Sequence, residues 1–304
     1  MKHKITITVV ILCMFLLAQF IGLYVIATNS VPAFLSANPS LETQQSPAFY
    51  FYQIISSFIV AILIVVLITK YKLKWFMKTW FVLVIILALF ISLTAIFQNL
   101  FGLTFYLIPL SLAIILGLLK LFRPSILIHN GTELLIYPGI ASIFVTILTP
   151  FYAIMLLILI SIYDMWAVWH SGIMQKMAKF QMNELKIFGG FLIPYMTKKV
   201  RNKIKLLKLK YKNKKIPEKD IKKGGIKVSM ALLGGGDIVF PIITAGVFML
   251  TYGLAPAIAI IIGAFLGLLS LLIFSEKKKF YPAMPFITAG IFLGLLVWWL
   301  LLLI

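Results

Sequence analysis

The chain has 304 residues, of which 62% are apolar and only 12% charged, with a formal net charge of +20. Soluble domains carry about a quarter charged residues, so this composition excludes an ordinary soluble protein and points to a polytopic membrane protein. Long unbroken apolar runs exclude a transmembrane barrel, whose strands alternate, and the basic residues are placed between apolar runs rather than as a nucleic-acid patch.

All 28 Lys and Arg lie in five clusters: Lys2 with Lys4, 70–78, Lys120 with Arg123, 176–227, and 277–279. The stretches between clusters hold 65, 41, 52 and 49 residues, each suited to a helical hairpin, and the last 25 residues suit one more span. A span needs about 20 apolar residues. The pattern therefore predicts an all-α fold of nine transmembrane helices. The positive-inside rule puts every basic cluster and the N-terminus in the cytoplasm and the C-terminus outside.

In chain order the helices are expected over 5–27, 49–69, 80–98, 103–119, 134–149, 151–169, 228–250, 255–274 and 283–303. The first has 23 residues, more than the apolar run of about 7–15 expected of a secretory leader, and reads as a retained anchor. The fifth is short and interrupted by Pro138 and Gly139, and a tight turn at Thr149 and Pro150 separates it from the sixth. The expected organisation is a six-helix part over 1–169, a basic cytoplasmic loop over 170–227, and a three-helix part over 228–304. Within the loop, 198–227 holds 14 of the 28 basic residues and suits anionic headgroups. Its stretch NKIKLLKLKYKNKK, 202–215, alternates like a strand or interfacial ribbon. The stretch IFGGFLIPY, 187–195, is too short to span and suits the interface.

Cys13 is the single cysteine, and His3, His129 and His170 fall at the edges of apolar runs without metal-ligand spacing. No metal or cofactor is expected. Asp164, in LLILISIYDMWAVW, and Asp237, in VSMALLGGGDIVFPII, read as the only acids inside long apolar stretches. A carboxyl at membrane depth costs several kcal/mol unless paired or solvated, which makes it a candidate functional group. The two lie about 9 and 15 Å along consecutive helices from the same boundary, so they can face each other. Close carboxyls share a proton, leaving one base and one acid. Such a pair can activate water against a peptide carbonyl without a metal. The two roles belong to the coupled pair.

Gly234, Gly235 and Gly236 precede Asp237 and weaken the helix by about 1 kcal/mol each relative to Ala. In exchange they permit close packing. Pro241 loosens the helix on the other side. On the residues alone, an intramembrane protease and a proton-coupled transporter remain equally open, because paired acids also relay protons.

Tyr163 with Asp164, the run Gly234, Gly235, Gly236 and Asp237, and the run Pro282, Ala283 and Met284 together resemble the YD, GxGD and PAL motifs of presenilins and signal peptide peptidases. Their order and their places in the sixth, seventh and ninth expected helices look like presenilin. The short chain looks most like the prokaryotic, chiefly archaeal, homologues, in a prokaryotic cell membrane. The resemblance implies an intramembrane aspartyl protease in which Asp164 and Asp237 are catalytic. It also implies that Tyr163, Gly234, Gly235, Gly236, Pro282, Ala283 and Met284 shape the substrate site, with Met284 where the family usually has Leu. The implied substrates are transmembrane segments or remnant signal peptides, drawn into extended form against strand-like backbone at 226–229 and 280–285. The implied partners are these substrates and the lipid bilayer, with no nucleic acid; accessory subunits and self-association are unspecified. Prepilin peptidases share GxGD but have fewer spans and no third motif.

Overall fold

The computed structural model describes residues 5–28, 74–102, 106–122, 125–171, 189–195, 229–275 and 281–303, with short stretches between 48 and 64. Its helices are α1 (Ile5–Ala27), α2 (Lys74–Phe101), α3 (Leu107–Phe122), α4 (Ile126–Val145), α5 (Pro150–Trp166), α6 (Gly236–Tyr252), α7 (Leu254–Phe274) and α8 (Met284–Leu301). Two strands, β1 (Gly190–Tyr195) and β2 (Ser229–Gly234), form one antiparallel pair.

Among the described residues, five helical stretches are long and apolar enough to cross a membrane: Thr6–Ala27, Lys78–Gln98, Pro150–Trp169, Leu254–Phe274 and Met284–Leu301. This overturns the expected nine. Hairpin counting assumes that every apolar run fills the bilayer, and several do not. Helices α3 and α6 have 16 and 17 residues, and at 1.5 Å per residue they fall short of a hydrocarbon core about 30 Å thick. Helix α4 has 20 residues but carries His129, Asn130 and Glu133 near its start. The expected 49–69 helix lies largely outside the described residues.

Local residues set several of the helix ends. Ser125 caps α4, its Oγ accepting from the Ile128 amide at 3.2 Å, which satisfies one of the orphan donors of a helix start. Thr149 and Pro150 open α5 with the proline in its first turn, where a missing N–H costs nothing. Gly253 makes the tight α6–α7 turn at φ 89°, a conformation that side chains other than Gly rarely tolerate. Pro138 and Gly139 do not break α4. Gly139 instead lies against the Ala88 carbonyl of α2, with no room for a Cβ, so the pair marks a helix crossing.

Helix α1 packs on α4 and α6, α2 on α3 and α4, and α8 on both α7 and α5. Along α7 and α8, Gly263 and Gly290 bring the two backbones into direct contact. One continuous apolar core joins α1, α4 to α8 and both strands, with a smaller one between α2, α3 and α4.

The helix expected over 228–250 begins only at Gly236, and 229–234 is strand. Alternation decides it: Ala231 and Leu233 are buried while Leu232 is 44% exposed, and the following glycines do not hold a helix. In β1, Phe191 and Ile193 are buried on the same sheet face, so a piece of the expected aqueous loop is part of the core. The 202–215 ribbon lies outside the described residues.

Candidate active site

Asp164 sits in the last turn of α5 and is 8% exposed. Its Oδ2 accepts from the Met284 amide at 3.1 Å, with the Ala283 amide also turned to the carboxylate. These are amides at the start of α8, where the first four N–H groups lack partners within the helix and the helix dipole favours negative charge. The segment Pro282, Ala283 and Met284 thus holds Asp164 through backbone. Pro282 and Met284 are buried, and Pro285 suits the helix start. One turn earlier, the Ser161 and Thr288 hydroxyls are 2.7 Å apart and tie α5 to α8.

Asp237 is the second residue of α6 and only partly exposed. The Gly234 amide is turned to it, and its carboxyl lies near enough to Asp164 for the two charges to act on each other. A Cβ on Gly234 would stand 3.1 Å from Asp237 Oδ2, and one on Gly235 only 3.0 Å from the Tyr137 ring. At Gly236 the nearest atom, on Phe240, is at 3.5 Å, an ordinary contact. The tight glycines are therefore 234 and 235, and what they accommodate is a carboxylate and an aromatic ring rather than another helix backbone.

Tyr163 is 44% exposed, its ring 6.4 Å from that of Trp166. A helix turns about 100° per residue, which places Tyr163 on the outer side of α5 and Asp164 on the inner. The structure brings the third motif to Asp164 and the glycine run to Asp237, and leaves Tyr163 apart from both.

Sequence reading passed over several buried polar groups. Gln19 of α1, fully buried, donates to the Ile238 carbonyl at 3.1 Å and so anchors the start of α6. Glu133, 2% exposed, is more buried than Asp164; its polar neighbours His129 and Asn130 in the sequence disguised it as a boundary residue. Tyr137 is 3% exposed, and its hydroxyl faces Glu133 and Asp237 without reaching hydrogen-bonding geometry among the described residues. The available signal was spacing: His129, Glu133 and Tyr137 recur every four residues along one helix face.

The strand pair leads to Asp237. The amide and carbonyl of Leu192 both point away from β2, toward Asn130. Antiparallel pairs alternate, so Gly190, Leu192 and Pro194 face outward on β1 and their partners Gly234, Leu232 and Met230 face outward on β2. Gly234, at the end of that outward row, is the residue whose amide meets Asp237.

The family described as signal-peptide peptidase, presenilin aspartyl protease matches residues 10–304. Among curated protein sequences none matches. Of solved structures, a presenilin family intramembrane aspartate protease in a C222 crystal form superposes with a TM-score of 0.62 at 18% identity, covering 97% of this chain and 99% of that one. A P2 crystal form gives 0.63 at 19%, covering 96% of each. At such identities the likeness speaks to the fold.

Proposed function

Because the chain belongs to the signal-peptide peptidase and presenilin aspartyl protease family, we propose that Asp164 and Asp237 are its catalytic dyad and that it cuts peptide bonds in membrane segments held as extended chain. The observation that carries this reading is that two carboxyls from different helices lie near enough to act on each other, Asp164 held by the Met284 amide and Asp237 facing that of Gly234. Backbone amides fix the position of a carboxylate without neutralising it by a counter-ion.

With the dyad sharing one proton, the ionised member draws a proton from water as the water oxygen attacks the peptide carbonyl carbon. The protonated member gives its proton to the carbonyl oxygen, forming a tetrahedral diol. Collapse of the diol breaks the C–N bond: the member that took the proton from water gives it to the leaving amine, and the other member takes a proton from a diol hydroxyl, which restores the dyad. The substrate must be unwound, since a helical carbonyl is shielded by its own hydrogen bonds. The outward row of β2, at Met230 and Leu232, offers unpaired strand backbone among the described residues, and such an edge accepts an added strand. Of the expected pairing segment at 226–229, Ser229 is the first residue of β2, and 226–228 lie outside the described residues. The residues of 280–285 that are described form no strand. Gly234, Gly235, Pro282, Ala283 and Met284 act here by placing the carboxylates.

The test is cleavage of a single-span peptide reporter by the purified full chain in liposomes, with chelator present and no ion gradient. Products from the wild type and none from folded Asp237→Asn support the reading. Aspartate-dependent proton flux without cleavage indicates a transporter instead.

A further inference from the structure

The catalytic reading leaves the polar side chains of α4 unused, and their geometry is specific. Asn130 Nδ2 donates to the Leu192 carbonyl at 2.9 Å, and Asn130 Oδ1 accepts from the Leu192 amide at 3.0 Å. One side chain thus reproduces the reciprocal pair that a third strand would make with β1. His129 Nε2 lies 2.8 Å from the Gly190 carbonyl; a carbonyl only accepts, so Nε2 carries the hydrogen. Glu133, held by Lys120 of α3, lies 3.8 Å from the same Nε2. Pro194, next in the outward row, has no amide to offer.

Opposite this clamp is the residue that matters to the site. Gly190 pairs with Gly234, whose amide meets Asp237. Gly190 has φ 145°, a backbone setting that favours glycine, so His129 grips a point where a side chain would be strained. A continuous set of contacts runs from His129 through Gly190 and Gly234 to Asp237.

We propose that His129 and Asn130 are positioning residues that close the outer edge of β1, so that an extended substrate adds only along β2 and in one register. The proposal rests on the protease reading. A two-stranded sheet with both edges open offers two docking lines, and a loosely held strand slips. Slippage of β1 or β2 moves the scissile bond relative to Asp237, so the clamp sets where the substrate is cut as well as how fast.

Asn130→Ala, His129→Leu and His129→Gln are compared with wild type in the full chain, using the single-span reporter and mass spectrometry of its products. Asn130→Ala and His129→Leu should spread the cut over neighbouring bonds and raise KM about tenfold, as expected for one or two lost neutral hydrogen bonds. His129→Gln keeps an N–H donor and should restore most of the single cut. In the substrate-free protein, amide exchange at Leu192 should quicken at least about tenfold in Asn130→Ala, while α7 stays protected. If Asn130→Ala unfolds, with α7 exposed as well, the two His129 variants carry the same contrast. Lower activity with unchanged cut positions overturns the proposal, as does unchanged exchange at Leu192. A wild type that leaves the reporter uncut overturns the protease reading instead, and the exchange contrast still reads the clamp.

Discussion

Glu133 differs from Asp164 and Asp237 in what surrounds it. All are acids set among apolar helices. Glu133 accepts from Lys120 and lies beside His129, whereas Asp164 and Asp237 meet the amides of Met284 and Gly234. No Lys, Arg or His among the described residues forms an ion pair with either aspartate. A buried acid with its own cation is a fixed structural element, costly to break. An acid that meets amides rather than a cation keeps its proton exchangeable, so among the described residues the counter-ion, and not burial in an apolar run, is what separates Glu133 from the two aspartates.

The widest break in this comparison is expected in catalysis. Asp164→Asn or Asp237→Asn should each lower reporter cleavage by at least about a thousandfold, and the double change should add little, because members of one catalytic unit are non-additive. Glu133→Gln should cost less than about tenfold, being outside the reacting pair. Initial rates in liposomes, normalised to folded protein, decide this; a Glu133→Gln loss as deep as the aspartate losses removes the distinction.

Stability should rank the acids the other way. Lys120→Met strands Glu133 as an unpaired buried charge and should destabilise the fold by about 3 kcal/mol or more. Adding Glu133→Leu should recover most of that, since an apolar pair of similar size replaces a buried ion pair at little cost. Thermal unfolding in detergent reads both, and a Lys120→Met melting curve that overlays wild type would show the pair to be idle.

A smaller contrast lies beside Asp237. Gly235→Ala pushes on the Tyr137 ring, at 3.0 Å from the added carbon, while Gly236→Ala meets only ordinary contact at 3.5 Å. Crowding of this kind costs about 1–2 kcal/mol, so cleavage should fall about tenfold for the first and less than about twofold for the second. Equal effects would mean that the glycine run matters through helix propensity rather than space.

Tyr137→Phe should do least. It keeps the edge-to-face contact with Phe191, at 5.7 Å between ring centres, and removes a buried hydroxyl that lacks a partner among the described residues. Loss of such a group should leave stability unchanged or raise it by up to about 1 kcal/mol. An activity loss beyond about a hundredfold would show that the hydroxyl acquires a partner in the working site.

What the sequence determined by itself follows from short-range rules. Apolar run length marked α1, α5, α7 and α8, because a run of about 20 mostly apolar residues has one stable place, the bilayer. Turn chemistry at Thr149 and Pro150 placed the start of α5, since it depends on the few residues present there. Asp164 and Asp237 stood out because an acid in an apolar run contrasts with its immediate neighbours, whereas the segment at Met284 was singled out by the family resemblance alone. Only the tertiary structure decided the rest. Whether α3, α4 and α6 span depends on how neighbours cover their short or polar ends. Whether 229–234 is strand or helix depends on β1, some forty residues earlier, since pairing energy lies between segments. The role of Glu133 depends on Lys120, and that of Asn130 on Leu192; each signal is half of a contact whose other half is remote in the chain. A carboxylate carries the same charge in either setting, and its use is fixed by the partner that folding brings to it.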